Sequence, residues 1–375
     1  MTTNRERFLA ILSGKSPDRI PWIPRIQLWY NARLAEGTMP ERFKGLTMRQ
    51  VEQALGLGNP ARSGRVFRTR REGFDVVTHE RGGEVLVEYV TPVGTVAEKR
   101  IRTSQLEGYT DSGLPKEHPI KSAADYPVWE YVVEHTYYDP CYEEYLAYDR
   151  EVGDDGLPMV ATGDVPFHHF CLHLCGYNQA FFELADHLPQ VEHLLTVMEQ
   201  CERERLWPVV ADSPAVLIHH GSHFDSQMTP PPLFAKYIKP YYQDFSSLLH
   251  ARGKKLAFHA DDDSKLILDL VRESGFDMAE CFATEPMVSV TLAEARKAWG
   301  NDVIIYGGIP SVVLEDTTSE EEFEAYVRNV FRTIAPGDAF ILGIADNAMP
   351  RTKIERVQRI TQLVEELGSY PIRAV

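Results

Sequence analysis

The sequence predicts an α/β fold, a (β/α)8 TIM-type barrel with an N-terminal β-meander excursion, on three observations. From residue 157 onward, short apolar runs alternate with amphipathic helical stretches: PMVATG (158–163), AVLIHHG (215–221), KLAFHAD (255–261), DMAECF (277–282), VIIYGGI (303–309) and AFILGIA (339–345). Such alternation with short loops implies parallel strands joined by right-handed crossovers. Second, polar residues gather at the C-terminal ends of successive strands, which suits the mouth of a barrel better than the single crevice of an open sheet. Third, no Gly-x-Gly-x-x-Gly opens a helix after the first strand, as a dinucleotide-binding open sheet would require.

Residues 4–13 read as a short amphipathic helix. The prolines of PDRIPWIPRIQLW end it and lead into an extended segment at Arg25–Trp29, taken as a seventh strand. The eighth strand has no clear apolar run. Residues 48–56 read as a helix ending near the glycines of GLGNP. Residues 62–104 alternate apolar and polar side chains, with turns at Gly82-Gly83 and Pro92-Val93-Gly94. That is a β-meander by period and turn chemistry, read as an excursion within a single domain spanning 1–375. TLAE at 291–294 and SEEE at 319–322 are capping boxes, and Thr229-Pro230 reads as an N-cap followed by proline at the first helical position.

Hydrophobic residues make up 43% and charged residues 25%, ordinary for a soluble domain with a sizeable core. Net charge is −16, from 55 acidic and 39 basic residues. That disfavours a nucleic-acid partner, which needs a basic patch, and adhesion to anionic membranes. Five widely spaced cysteines do not make a disulfide framework. The start lacks the apolar core and cleavage site of a secretory signal, and no apolar stretch approaches the ~20 residues that span a bilayer. The expectation is a cytoplasmic protein with neither nucleic-acid nor membrane partners. The oligomeric state stays open, a homo-oligomer included.

The strand ends hold the candidate chemistry. Run 215–221 ends in His219-His220, followed by His223 and Asp225; the next ends in His259-Ala260-Asp261; the next carries Glu280-Cys281; the last two lead to Tyr306-Gly307-Gly308 and Asp346-Asn347. Histidine, carboxylate and thiolate on one rim form a ligand set that zinc accepts. Alternation puts His259 and Asp261 on one face and sends Glu280 and Cys281 to opposite faces, so a regular strand admits at most one of that pair to the lumen. Cys281, the softer donor, is favoured over Glu280. Gly307-Gly308 marks either close backbone packing or room for a ligand. In HHFCLHLCG (168–176), helical spacing gives Cys171 and Cys175 one face, which reads as core packing. His168 and His169 follow a strand end and are expected to line the pocket.

Several segments together resemble the uroporphyrinogen decarboxylase-like superfamily: NRERFLAILSGKSPDRIPW, FDSQMTPPPLFAKYIKPYY, KLAFHADDD, DVIIYGGIP and AFILGIADNAMP. The resemblance implies a (β/α)8 barrel with one of two chemistries. One branch decarboxylates uroporphyrinogen without a cofactor; the other contains zinc-dependent methyltransferases that serve corrinoid proteins. The decarboxylase's arginine-rich Met-Arg-Gln-Ala-Gly-Arg element is absent. PWIPRIQLWYNAR leaves Arg25, Gln27 and Arg33 as partial substitutes, too few cations for a substrate with many carboxylates. The thiol methyltransferases hold zinc with His-x-Cys and a later Cys. Here His259 matches the His, Asp261 stands at the first Cys, and Ala345-Asp346 stands at the last.

The resemblance therefore implies a methyltransferase acting as a demethylase component. It would move a methyl group from a small O- or N-methylated compound to a corrinoid protein, with zinc as Lewis acid. The expected metal ligands are His259, Cys281 and Glu280, with Asp261 or a histidine of 219–223 as further alternatives. Asp261 and Asp346 are the expected catalytic acids. Arg25, Tyr30, His168, His169, His220, His223 and Tyr306 are expected to bind substrate. A second reading is a cofactor-independent decarboxylase or lyase holding a small carboxylic acid on Arg25 and Arg33. A third is a non-catalytic barrel that only binds.

Overall fold

The six apolar runs become six strands, each within a few residues of its expected place. The computed structural model describes residues 2–102 and 113–374. In chain order the strands are β1 (Phe67–Arg71), β2 (Asp75–Arg81), β3 (Glu84–Thr91), β4 (Gly94–Ile101), β5 (Leu114–Glu117), β6 (Thr136–Pro140), β7 (Met159–Ala161), β8 (Leu217–Ser222), β9 (Lys255–His259), β10 (Met278–Phe282), β11 (Ile304–Ile309) and β12 (Phe340–Ile344). Met1–Gly64, Glu144–Thr162 and Ala215–Val375 form one compact unit; Arg65–Glu143 and Gly163–Pro214 form another.

In the first unit β7 to β12 are neighbours in chain order and run parallel. Two short extended segments complete the ring. Residues 20–23 lie along β12: Ile23 N–H donates to the Leu342 carbonyl at 3.0 Å, and Leu342 N–H to that of Pro21 at 2.9 Å. Residues 58–64 lie along β7, where Met159 N–H donates to the Ala61 carbonyl at 2.9 Å. Gly58 N–H donates to the Trp22 carbonyl at 2.9 Å, which joins the two segments and closes the barrel. The eighth strand is thus the Gly- and Pro-bounded stretch 58–64. The expected strand at Arg25–Trp29 is corrected, because Gln27–Ala35 is helical. Pro21 and Pro24 hold the chain extended just before it, and QLWYNARLA carries good helix formers.

Alternate residues of the strands enter the barrel interior. Met159, Leu217, Ala257, Met278, Ile304 and Ile341 share one buried cluster with Phe8, Ile11 and Leu12 of the helix Asn4–Leu12. That helix begins in a capping box between Thr3 and Glu6. The inward positions two residues further along the strands are His219, His259, Glu280 and Tyr306, so the polar layer sits directly on the apolar one. Outside the barrel, the capping boxes at Thr291 and Ser319 start Leu292–Trp299 and Glu320–Ile334 as expected. Thr229 is not an N-cap. The helical chain starts at Pro231, after Pro230, because consecutive prolines are tolerated in a first turn.

In the second unit β2 to β5 form an antiparallel sheet, with tight turns at Gly82-Gly83 and Pro92-Val93. Residues 103 and 104 of the expected meander lie outside the described residues. β1 and β6 form a separate antiparallel ribbon. Cys171 and Cys175 are buried, and burial pushes the Cys171 thiol up to about 12, in keeping with core packing. All five cysteines are free and buried. Among the described residues no helix is long and apolar enough to cross a membrane.

Candidate active site

His259, the last residue of β9, is the hub of the polar layer. Its Nδ1 lies 2.7 Å from Glu280 Oε2. Its Nε2 faces two other carboxylates, Asp261 Oδ2 at 3.4 Å and Asp346 Oδ1 at 3.5 Å. Glu280 is fully buried and also receives Arg62 Nη1 at 3.1 Å and the Cys281 thiol at 3.0 Å on Oε1, while His219 Nε2 stands 3.7 Å from Oε2. Arg25 Nη1 donates to Asp346 Oδ1 at 3.0 Å, and both Arg25 and Arg62 lie 3.7 Å from Cys281 Sγ. At the rim, His223 Nδ1 is 2.8 Å from Asp261 Oδ1.

Both Glu280 and Cys281 reach this cluster, because β10 is not the regular strand that would admit only one of them. The pairing of β10 with β11 slips between Glu280 and Phe282, and Cys281 takes φ +57°. A bulge inserts one residue, so neighbouring side chains no longer alternate cleanly across the sheet. His223 (φ +56°) and Asp346 (φ +55°) share this left-handed backbone, rare outside glycine. Three such residues around one histidine are the kind of strain that tight surrounding structure maintains at working sites. Gly307 accommodates the bulge: a Cβ there would stand 2.6 Å from Phe282 N and 2.7 Å from Phe282 O, at φ +147°. The Gly307-Gly308 pair thus serves close backbone packing at its first position. Gly307→Ala is expected to cost about 1–3 kcal/mol in chemical denaturation by straining this backbone. An unchanged denaturation midpoint would mean the bulge does not depend on Gly307.

Electrostatics follow from this packing. Burial alone would neutralise Glu280, but Arg62 and His259 hold its carboxyl well below the usual range. Burial also opposes charge on His259, yet the Cys281, Glu280, Asp261 and Asp346 around it raise its pKa well above the ordinary value. Asp261 and Asp346 are held low, against burial, by hydrogen bonds from the neighbouring histidines and, for Asp346, by Arg25. Burial and then Glu280 push the Cys281 thiol up. Three carboxylates therefore face two guanidiniums and a histidine that they hold protonated, so a metal ion bound at His259 would take the place of that proton's charge.

Of the residues expected at the site, His259, Cys281, Glu280, Asp261, Asp346, Arg25 and His223 come together. His220 points the other way. It is fully buried, with Nδ1 3.0 Å from Tyr242 Oη and its ring stacked on Tyr241 at 5.5 Å. Tyr306 lies beneath the site, buried, its hydroxyl donating to the Ile23 carbonyl at 2.7 Å. Tyr30 donates to the Leu46 carbonyl at 2.8 Å, and Arg33 to that of Pro350 at 3.0 Å. His168 and His169 belong to the other unit, where His168 Nε2 is 2.9 Å from Tyr177 Oη and His169 lines a cavity. Arg62 carries no signal in the sequence, and His219 stands out there only among the histidines of 219–223. Parity with inward Leu217 marks His219 rather than His220, whereas nothing in GNPARSG marks a strand.

A family model described as uroporphyrinogen decarboxylase (URO-D) matches residues 176–367, just over half of the chain, and takes in β8 to β12 with every site residue they carry. The chain belongs to the uroporphyrinogen decarboxylase family. Among solved structures it is similar to a methyltransferase from Methanosarcina mazei, at 13% identity and a TM-score of 0.58, over 98% of this chain and 99% of that one. That likeness is one of fold, the family's TIM barrel. No curated protein matches the sequence. Arg25 and Arg62 precede the matched segment, so the two guanidiniums of the site come from outside it.

Proposed function

We propose that the chain is a zinc-dependent methyltransferase, the component that takes a methyl group from a small O- or N-methylated compound and passes it to a corrinoid protein. The observation that carries this reading is the convergence on His259. His259, Cys281 and Asp346 offer ligand atoms within 4.8 Å of one another, as do His223, His259 and Asp261. One imidazole nitrogen, one sulfur and carboxylate oxygens are a donor set that suits zinc. His259 Nε2, Cys281 and Asp346 would hold the ion, with Asp261 and His223 a second group on the same imidazole, whereas Glu280 stays behind the ring on Nδ1. A carboxylate on the far nitrogen fixes the tautomer and direction of a ligand histidine, so Glu280 acts as a positioning residue rather than a ligand. Zinc would supply Lewis acidity at the leaving oxygen or nitrogen. The barrel fold shared with the Methanosarcina mazei methyltransferase supports the reading as an analogy of fold.

The chain's own groups divide the remaining work. Arg62 anchors Glu280, and Arg25 anchors Asp346. Asp346 as a ligand and Asp261 beside two histidines stay ionised, so the proton for the leaving group falls to His223, whose side chain is 46% exposed and which contacts Asp261. Uroporphyrinogen decarboxylation is not proposed, because Arg25 and Arg62 already pair with carboxylates of the site. The test supplies zinc-loaded enzyme with reduced corrinoid and a panel of methoxylated and N-methylated small molecules, and follows methylcorrinoid by absorbance. Methyl transfer with one panel member, lost in His259→Ala, is the expected result. Release of carbon dioxide from a carboxylic acid under strong chelation, with no methyl transfer, would overturn the reading.

A further inference from the structure

The unit of residues 65–143 and 163–214 forms a half-open cavity of about 470 Å³, separate from the residues of the chemistry above. Its size falls within the roughly 300–1,000 Å³ of small-molecule sites. One wall is aromatic: Tyr89 of β3 and Trp129 of the helix Tyr126–Glu134 meet edge to face at 5.0 Å. Another wall is the β1–β6 ribbon. There Thr69 pairs with Tyr138 and Arg71 with Thr136, so these four residues share the face that lines the cavity.

Charge selects the ligand. Each carboxylate on the lining is already engaged. Glu98 receives Arg100 Nη2 at 3.1 Å, Asp164 faces His168 and His173 at 3.6 and 3.8 Å, and Glu202 also has a partner. Burial raises the pKa of the Tyr89 and Tyr138 phenols, so neither supplies an anion. The Arg71 guanidinium has no hydrogen-bonded or ion-paired partner among the described residues. A guanidinium offers a planar fork that fits a carboxylate, and aromatic walls accept a flat apolar body edge-on or offset. We propose that this cavity binds a small aromatic carboxylate, its ring against Tyr89 and Trp129 and its carboxylate on Arg71. An organic cation would find the same aromatic faces but would meet Arg71 as a like charge.

Titration calorimetry on the full chain tests the proposal, with benzoate, phenylacetate and naphthoate as probes, benzamide as neutral isostere and benzyltrimethylammonium as cation. At least one carboxylate is expected to bind saturably, and benzoate about tenfold or more tighter than benzamide, the margin of one charge-assisted contact. Arg71→Gln, a change at an exposed position, is expected to bring benzoate down to the benzamide level. Val133→Trp, which fills the cavity, is expected to abolish binding of both, and His259→Ala to leave all of it unchanged. The proposal is overturned if no carboxylate saturates in the millimolar range, if benzamide or the ammonium binds as tightly as benzoate, or if Arg71→Gln changes nothing. Loss of benzoate binding in His259→Ala would also overturn it, by placing the carboxylate at the metal centre.

Discussion

His259→Ala is expected to lower kcat/KM for methyl transfer by about 10³-fold or more and to strip the bound metal. Lewis-acid polarisation contributes several kcal/mol to such a reaction, and each ~1.4 kcal/mol is a factor of ten in rate. His259 is common to the groups His259–Cys281–Asp346, His223–His259–Asp261 and His219–His259–Glu280, so its removal leaves no complete donor set among the described residues. Elemental analysis of the purified variant, read beside its kinetics, separates this from a folding defect. The far-ultraviolet spectrum should be retained, because Glu280 keeps Arg62 as a partner when the imidazole is lost. Activity within tenfold of wild type would contradict a role for His259 at the reacting centre.

The largest stability effect is expected at Glu280. This carboxylate is fully buried and compensates Arg62, His259 and His219 together. Removing one partner from a buried charge cluster costs about 3–5 kcal/mol, because the others are left without compensation. Glu280→Ala should therefore lower Tm by roughly 5–10 °C, judged from the usual stability-to-Tm conversion for large domains. Glu280→Gln preserves the shape and one acceptor for His259 Nδ1, and should fall between the two. The double variant Arg62→Met/Glu280→Met replaces the ion pair with apolar volume and should recover part of the loss without recovering activity. If the double variant is as unstable as Glu280→Ala, the uncompensated charge is not the cause of the loss.

How much of this was legible in the sequence depends on which regularity each residue obeys. The barrel was legible because six largely buried strands write themselves as apolar runs between helices, some of them capped. Capping boxes at Thr291 and Ser319 fixed helix starts by local chemistry alone. His259, Asp261 and Asp346 were legible because they follow directly on those runs. The two closing segments were not, since residues 20–23 and 58–64 are short, proline- and glycine-bounded, and bond through only a few backbone groups. Arg62 was lost with them. The joint entry of Glu280 and Cys281 was hidden for a different reason. Period-two alternation holds only for a regular strand, and the bulge that breaks it is set by contact with Gly307 on the neighbouring strand. His220 misled because two adjacent histidines look equivalent until the parity of Leu217 is known.

The proposed function rests on zinc held by His259, Cys281 and Asp346. X-ray absorption at the zinc edge of the zinc-loaded full chain tests it most directly. Stoichiometric zinc is expected after dialysis, with one sulfur neighbour at about 2.3 Å, nitrogen and oxygen neighbours at about 2.0–2.2 Å, and imidazole scattering that disappears in His259→Ala. Zinc that washes out on dialysis, or a shell without sulfur that is the same in His259→Ala, would contradict it.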